Sequence, residues 1–413
     1  MYILCVAGLM LYLTNKFFDL KNLLNPFVFF YLYQTVFCFI ALSYYEMFRQ
    51  DIAQELQNFI IIAYFLTFFG AMLSRYLFQK AGVKYVRYKE IAIEKTASNS
   101  FLLSGLIVFL IGIIIFSYFT YKTGGVIIFA DEVENSRIEK RKGAGMINLL
   151  FVAFLLYGYL IIMLNRYLSK GIKFLLFLPV AFALLSFGSR APIIKLLLAV
   201  FLLHGIISNK KYSIKTFAIL ALGSLAIVVV LGSLRTNQAE GIEFIRIMRF
   251  RAGWRPFVNI QNLQRIYDFF PEYHKHMYGY SYITELKIFL PGHNPNFGTY
   301  LKEVMNWEFE GGSITPTFLG IGYINFGKIA FIVYPLLFGF FFNSIYQIMC
   351  SKKKIKNIKV VFLILFSIGI SGSLSTGLLP AIIANTIFLI FTLIVHLLIK
   401  QLFLKRPLKL KFE

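Results

Sequence analysis

Arginines at the ends of apolar segments are the first candidates for chemistry in this sequence. Arg190 interrupts an apolar hairpin and Arg235 ends another apolar run. Five more arginines follow shortly afterwards, namely Arg246, Arg249, Arg251, Arg255 and Arg265. Of these, Arg249, Arg251 and Arg255 join Arg190 and Arg235 as candidates. A guanidinium group is permanently charged and binds phosphate through two parallel hydrogen bonds. These arginines therefore predict a site for a ligand that carries a diphosphate.

A structural interpretation of the same arginines is also open. Their aliphatic stems could lie along a membrane surface while the charged ends reach water, or they could pair with Glu240 and Glu243. For Arg190 and Arg235 we favour the functional interpretation, because a charge at the end of a membrane span is costly unless it faces a polar cavity.

Three residues are candidates for accepting a proton, namely His293, Glu308 and Glu310. Histidine is the usual general base near neutral pH. His293 lies in the turn-rich residues 291–295, which would hold its side chain in a fixed place. The alternative is that these side chains are solvent-exposed or structural.

A segment rich in small and polar residues, 311–327, follows the two glutamates. Small residues permit close approach of the backbone to a ligand. The side chains of Thr315, Tyr323 and Asn325 could bind the hydroxyl groups of a sugar. The alternative is a tight re-entry of the chain into the membrane, with the glycines serving helix packing.

The composition indicates an integral membrane protein. Of 413 residues, 58% are hydrophobic and only 15% are charged, whereas a soluble domain carries roughly 25% charged residues. The net charge of +23 lies mainly in short loops between apolar runs, which argues against a nucleic-acid partner. The three cysteines form no CxxC pair and no P-loop is present, so we expect neither a metal site nor a cofactor.

Apolar runs predict an all-α fold, a polytopic transmembrane helical bundle of about eleven spans. The predicted spans are Tyr2–Thr14, Pro26–Tyr45, Asn58–Leu73, Phe101–Tyr121, Met146–Leu164, Phe174–Phe187, Ala191–Ile207, Thr216–Ser233, Lys328–Met349, Val360–Gly372 and Ala381–Ile399.

The charges of the connecting loops predict the orientation of the bundle. With eleven spans, every strongly basic loop falls on one side, which is then cytoplasmic together with the C-terminus. The predicted organisation is an N-terminal bundle of about eight spans (1–233), a large extracytoplasmic loop (234–327), and about three spans with a basic tail (328–413). A loop of this length is usually functional, and the chemistry is expected there.

The segment Gly311-Gly312-Ser313-Ile314-Thr315-Pro316-Thr317 with Gly322-Tyr323-Ile324-Asn325-Phe326-Gly327 resembles the O-antigen and capsule repeat-unit polymerase family (Wzy type). The hairpin Gly188-Ser189-Arg190 is similar to an arginine turn of that family, and the late large loop matches its layout. The related O-antigen ligases carry a His-Asn motif like His293-Asn294, but Val304 replaces its downstream glycine.

The resemblance implies a metal-independent glycosyltransferase of the bacterial cytoplasmic (inner) membrane that makes the polysaccharide of lipopolysaccharide or of a capsule. The growing polymer would pass from undecaprenyl diphosphate to an incoming lipid-linked repeat. The arginines would hold the diphosphate in place of a metal, and His293, Glu308 or Glu310 would accept the proton. Membrane lipids and a chain-length regulator protein are the other expected partners.

Three other functions are open. An O-antigen ligase would use lipid A-core as its acceptor. A lipid-linked oligosaccharide flippase or exporter would show charges inside the bundle, internal symmetry and short loops, which this sequence lacks. A membrane scaffold would have no reason to keep Arg190 at a costly position.

Overall fold

Helices make up almost all of the part of the chain that the computed structural model describes. The described residues are 2–42, 52–87, 90–93, 99–129, 145–165, 168–186, 190–207, 223, 257–287, 290, 297–307, 314–351, 354–376 and 379–405. Within them the helices are α1 (Tyr2–Phe18), α2 (Pro26–Gln34, continued as a π-helix by Thr35–Ile40), α3 (Gln54–Lys80), α4 (Asn99–Lys122), α5 (Gly145–Leu164), α6 (Lys170–Leu185), α7 (Arg190–Ile207), α8 (257–269), α9 (Tyr280–Lys287), α10 (Phe297–Val304), α11 (Thr317–Phe326), α12 (Ala330–Met349), α13 (Asn357–Thr376) and α14 (Leu379–Lys405).

The helical fold class is confirmed, and several helices have the length and composition of membrane spans. In the described residues the long apolar stretches are Gln54–Lys80, Asn99–Phe129, Met146–Leu164, Thr317–Met349 and Asn385–Leu402. The shorter apolar helices are Tyr2–Phe18, Pro26–Ile40, Ala191–Ile207 and Asn357–Ile370. A described helix overlaps each predicted span except Thr216–Ser233, which apart from Gly223 lies outside the described residues.

The stretch Thr317–Met349 is a helical hairpin and not one continuous span. The chain turns at Gly327, whose φ of 65° belongs to the left-handed region that favours glycine. On either side of this turn α11 and α12 pack antiparallel, because the ring of Phe318 lies 5.6 Å from that of Phe338 and the ring of Phe326 lies 6.1 Å from that of Tyr334. The ten residues of α11 span about 15 Å, so this helix re-enters the bundle without crossing it.

Close backbone contact joins α3 to α12 in the first of two compact units, which comprises Met1–Ile91, Lys211–Lys353 and Phe366–Ile382. A Cβ atom at Gly70 would lie 2.0 Å from the Leu336 carbonyl oxygen, and one at Gly339 would lie 1.9 Å from the Thr67 carbonyl oxygen. Glycine at helix crossings lets membrane helices approach this closely. The ring of Phe59 lies 4.9 Å from that of Phe331, and further along both helices Ser74 bonds Ser344, so α3 and α12 run parallel.

Buried polar side chains connect α2, α3 and α12 near the C-terminal end of α12. Asn343 donates to Ser74 Oγ at 3.1 Å and accepts from Asn25 Nδ2 at 3.1 Å, and Ser74 bonds Ser344 at 2.9 Å. Asn25 also donates to Tyr85 Oη at 3.1 Å. We call Asn25, Ser74, Tyr85, Asn343 and Ser344 the asparagine network. Each member has a hydrogen-bond partner, as burial of polar groups requires.

The second unit comprises Ala92–Lys210, Lys354–Leu365 and Ile383–Glu413. Its α4 and α5 pack antiparallel, with Gly112 against Leu155 and Gly158 against the backbone of Phe109. Phe388 of α14 lies 5.2 Å from Phe154 between ring centroids. Ala92–Ile93 pairs in parallel with Lys354–Ile355, and this is the one strand pair in the described residues. The three segments predicted in chain order, 1–233, 234–327 and 328–413, stay a prediction.

Candidate functional site

Most of the predicted site residues lie outside the part of the chain that the structure describes. Arg190 is the first residue of α7, and its side chain is not described. The others outside the described residues are Arg235, Arg249, Arg251, Arg255, His293, Glu308 and Glu310. Their roles in binding diphosphate and in accepting a proton stay predictions.

Thr315, predicted to bind sugar, lies in the stretch that leads into α11. Its hydroxyl accepts a hydrogen bond from Asn262 Nδ2 at 2.9 Å and donates one to Asn259 Oδ1 at 3.1 Å. Both asparagines belong to α8 and are buried. Thr315 therefore fixes the start of the re-entrant helix to α8, and its hydroxyl is occupied by protein groups.

Tyr323 and Asn325, the other two predicted sugar-binding residues, are also buried and bonded within the protein. The Tyr323 hydroxyl donates to the Phe270 carbonyl oxygen at 2.7 Å. Asn325 donates to Ser281 Oγ at 2.5 Å and accepts from the Gly279 amide at 2.8 Å. All three residues are thus bonded within the protein, and their direct contact with a sugar stays a prediction.

The segment between α8 and α9 caps the C-terminal end of α11. The amide of Met277 donates to the Ile324 carbonyl at 2.8 Å, and that of Tyr278 donates to the Asn325 carbonyl at 3.2 Å. These bonds satisfy carbonyl groups that a helix end otherwise leaves without partners. His276 packs beside the turn, where a Cβ at Gly327 would lie 3.1 Å from its Nε2. The large loop and the re-entrant helix are thus one packed structure.

A charged cluster joins the N-terminal ends of α3 and α12 to α8. Lys328 Nζ lies 2.6 Å from Glu55 Oε1, and the Tyr267 hydroxyl donates to Glu55 Oε2. The Ala53 amide donates to Gln264 Oε1 at 3.0 Å. Burial raises the pKa of Tyr267, and the carboxylate of Glu55 raises it further. The loop before α3 and the large loop therefore meet at the same end of the first unit.

Arg265 shows how this loop uses an arginine. Its guanidinium carbon lies 3.9 Å from the centroid of the Trp307 ring, a distance at which cation and ring attract each other. The contact joins α8 to the residues that follow α10. The Trp307 ring therefore helps to hold the guanidinium group of Arg265 in place.

A buried carboxyl group on α9 is the feature that the sequence did not single out. Glu285 is 2% exposed, and neither of its oxygens has a hydrogen-bond partner of ordinary geometry in the described residues. Burial raises its pKa to about 8, and the backbone amide of Leu379 at the start of α14 lowers it by a smaller amount. The acid therefore holds its proton at neutral pH.

Two tyrosines share this pocket with Glu285. The hydroxyl groups of Tyr282 on α9 and Tyr334 on α12 are hydrogen-bonded to each other. Burial is the main cause that raises the pKa of Tyr282, and the charge of Glu285 raises it further. We call Ser281, Tyr282, Glu285, Asn325 and Tyr334 the Glu285 pocket. Acids whose pKa is shifted by burial cluster at functional sites.

Comparison with known proteins identifies the family. No curated protein and no solved structure matches the chain significantly. A family model described as O-antigen polymerase matches residues 22–388. This match runs from the residues before α2 into α14 and includes the re-entrant hairpin, and the chain belongs to the O-antigen polymerase family.

Proposed function

We propose that this membrane enzyme polymerises oligosaccharide repeat units carried on undecaprenyl diphosphate, at the outer face of the bacterial cytoplasmic membrane. Repeat-unit polymerisation into O-antigen is the activity of its family, and the match over residues 22–388 is the observation that carries the proposal. The lipid carrier, the membrane face and the absence of a metal requirement are parts of the proposal.

The predicted arginines are assigned to the donor diphosphate. Arg190 begins α7, and Arg235, Arg249, Arg251 and Arg255 belong to the segment before α8. Diphosphate becomes more negative as it leaves, so positioned guanidinium groups stabilise the transition state more than the ground state. The activated donor supplies the free energy, and no nucleotide triphosphate is needed.

An eleven-span topology is also part of the proposal, and the parallel pairing of α3 with α12 supports it. Two parallel spans require an odd number of membrane crossings between them. The described helices between these two that carry predicted spans are α4, α5, α6 and α7. The predicted span Thr216–Ser233 supplies the fifth crossing.

The sidedness is tested with single cysteines in a background where the exposed Cys5 is replaced by serine. A membrane-impermeant maleimide is expected to label Tyr273→Cys, in the large loop, on intact cells. Lys84→Cys, which lies in a predicted cytoplasmic loop, is expected to react only after the membrane is opened. Both native side chains are exposed, so the opposite labelling pattern would reverse the topology.

The activity is tested with purified protein in proteoliposomes and a synthetic lipid-linked repeat unit. A ladder of products without added nucleotide supports the proposal, whereas transfer of the repeat to lipid A-core alone would identify a ligase. Arg190→Ala and Arg235→Ala are each expected to shorten or abolish the ladder. Arg87→Ala is the matched control, because Arg87 is an exposed arginine of a predicted cytoplasmic loop. If both variants kept the full ladder, the diphosphate assignment would be wrong.

A further inference from the structure

Helix α9 turns its polar side inward and its apolar side outward. Ser281, Thr284 and Glu285 are 0%, 4% and 2% exposed, whereas Ile283 and Leu286 are 54% and 40% exposed. A helix at the surface of a soluble protein has the opposite arrangement. An outward apolar face is stable where it meets lipid. We therefore place α9 at the membrane interface, with its carboxyl group facing the inside of the bundle.

Within the described residues, the carboxyl group of Glu285 has no hydrogen-bond partner of ordinary geometry, whereas buried acids normally have one. A buried polar group that lacks a hydrogen bond costs about 1–3 kcal/mol, and an ionisable group facing the inside of a membrane bundle is by default a functional group. Among the described acidic residues, Glu285 is the buried one. Glu55, in contrast, is exposed and bonded to Lys328 and Tyr267.

We propose that Glu285 is the catalytic base that accepts the proton of the acceptor sugar hydroxyl, an inference that rests on the proposed polymerase function. Its pocket lies between α9, α11 and α12 and the start of α14, beside the hydroxyl groups of Tyr282 and Tyr334. The large loop that carries the predicted arginines forms α9 itself. Under the proposed function, an acceptor sugar would meet the carboxyl group of Glu285, while the donor diphosphate is assigned to the arginines that precede α8 in the sequence.

The reaction balances without a further reactant. The ionised Glu285 carboxylate takes the proton of the acceptor hydroxyl as its oxygen forms a bond to the anomeric carbon of the donor. The bond between that carbon and the diphosphate oxygen breaks, and its electron pair leaves with the diphosphate. Glu285 then returns the proton to water. A base is most effective when its pKa lies near the working pH, which burial achieves here.

The rate is expected to rise with pH as Glu285 ionises and to level off above its pKa of about 8. Among the described residues, the titratable groups that interact with Glu285 are Tyr282 on the same helix and Tyr334 on α12. The pKa of Tyr282 is raised, so this hydroxyl stays protonated through the same range of pH. A rate that does not change between about pH 6 and pH 9 would overturn the assignment.

The deciding experiment compares Glu285→Gln with the wild type in the proteoliposome assay. Glutamine keeps the shape of the side chain and cannot accept the proton, so polymer formation is expected to fall by about 100-fold or more. Thermal stability in detergent is expected to be unchanged or higher, because the amide removes the cost of burying an acid. Glu272→Gln, at an exposed acid of the same loop, is expected to keep wild-type activity.

Each outcome separates the two proposals. A wild-type rate for folded Glu285→Gln would overturn the role of Glu285 and leave the polymerase function intact. A wild-type protein that forms no ladder would instead overturn the polymerase function. If Glu285→Gln does not fold, Glu285→Asp replaces it, since a shorter carboxylate is expected to lower the rate and keep the dependence on pH. A wild-type rate for that variant at every pH would also overturn the assignment.

Discussion

The asparagine network and the Glu285 pocket are two buried polar clusters at opposite ends of the same helix, α12. Asn343 bonds Asn25 and Ser74, so its amide group is fully engaged by neighbouring helices. In the described residues, Glu285, near Tyr334, has no partner of ordinary hydrogen-bond geometry, and the Leu379 amide lies close enough only to lower its pKa by a small amount. About nine residues of α12, or roughly 14 Å, separate Asn343 from Tyr334.

This difference distinguishes structure from function in a helical membrane protein. Polar groups that are paired specify which helices pack together, and removing them weakens the fold. A buried polar group without a partner lowers the stability of the fold. We therefore expect such a group to be retained where the reaction requires it. The comparison predicts that substitutions in the asparagine network will lower stability and leave the activity per folded molecule intact. Substitutions of Glu285 are expected to lower the activity and to leave stability unchanged or higher.

Separating α3 from α12 should break the network most severely. Gly339→Ala places a Cβ 1.9 Å from the Thr67 carbonyl oxygen, and since this oxygen belongs to the backbone, the helices must move apart. We expect folded protein to fall below detection in a size-exclusion profile of detergent extracts. Gly8→Ala is the control, because a Cβ at Gly8 has no atom within 4 Å. A normal yield of Gly339→Ala would contradict the close packing.

The pocket should make stability depend on pH. The native state keeps the Glu285 proton up to a pKa of about 8, whereas an unfolded glutamate releases it near 4.5. Stability from this group is therefore greatest at low pH and is lost as the pH rises from about 4.5 to about 8, by up to about 5 kcal/mol. Melting temperatures measured across this range are expected to fall more steeply for the wild type than for Glu285→Gln. Parallel curves would show that the acid is not buried in its neutral form.

Removing the central amide of the network should have a smaller effect. Asn343→Leu leaves Asn25 and Ser74 each with one bond fewer, which is expected to cost about 1–2 kcal/mol. Polymer formation per folded molecule should not change. Leu337→Met, at an exposed position of the same helix, is the control for thermal stability. A loss of activity beyond the loss of folded protein would remove the distinction between the two clusters.

The sequence predicted the helices well and their partners poorly. Apolar runs such as Phe101–Tyr121 and Met146–Leu164 are long enough to predict α4 and α5. The glycine-rich segment before α12 left both a ligand-binding role and a tight re-entry into the membrane open. The pairing of α3 with α12 could not be predicted, because it depends on where Gly70 and Gly339 face. The spacing of small residues along one helix does not reveal which distant helix packs against them.

The site was harder to predict than the fold for a physical reason. The apolar residues Ile283 and Leu286 would point inward in a soluble protein, which makes Glu285 appear to be an exposed charge. Our proposal that the exposed side of α9 meets lipid reverses this interpretation. Thr315, Tyr323 and Asn325 carry groups that could bind a sugar, but the fold uses these groups for its own hydrogen bonds. The arginines and His293 stay predictions, since they lie outside the described residues.

The charged cluster at the N-terminal end of α3 offers the mildest test of the comparison. Lys328 and Glu55 are more than half exposed, and an ion pair in water contributes little to stability because solvent and salt screen it. Lys328→Met is therefore expected to leave the melting temperature and the product ladder unchanged at both low and high salt. A marked loss of stability that salt does not reproduce in the wild type would show that this pair holds the large loop in place. The N-terminal end of α3 would then depend on paired polar groups for its stability, as the asparagine network does. The Glu285 pocket would be the one of these three clusters that does not.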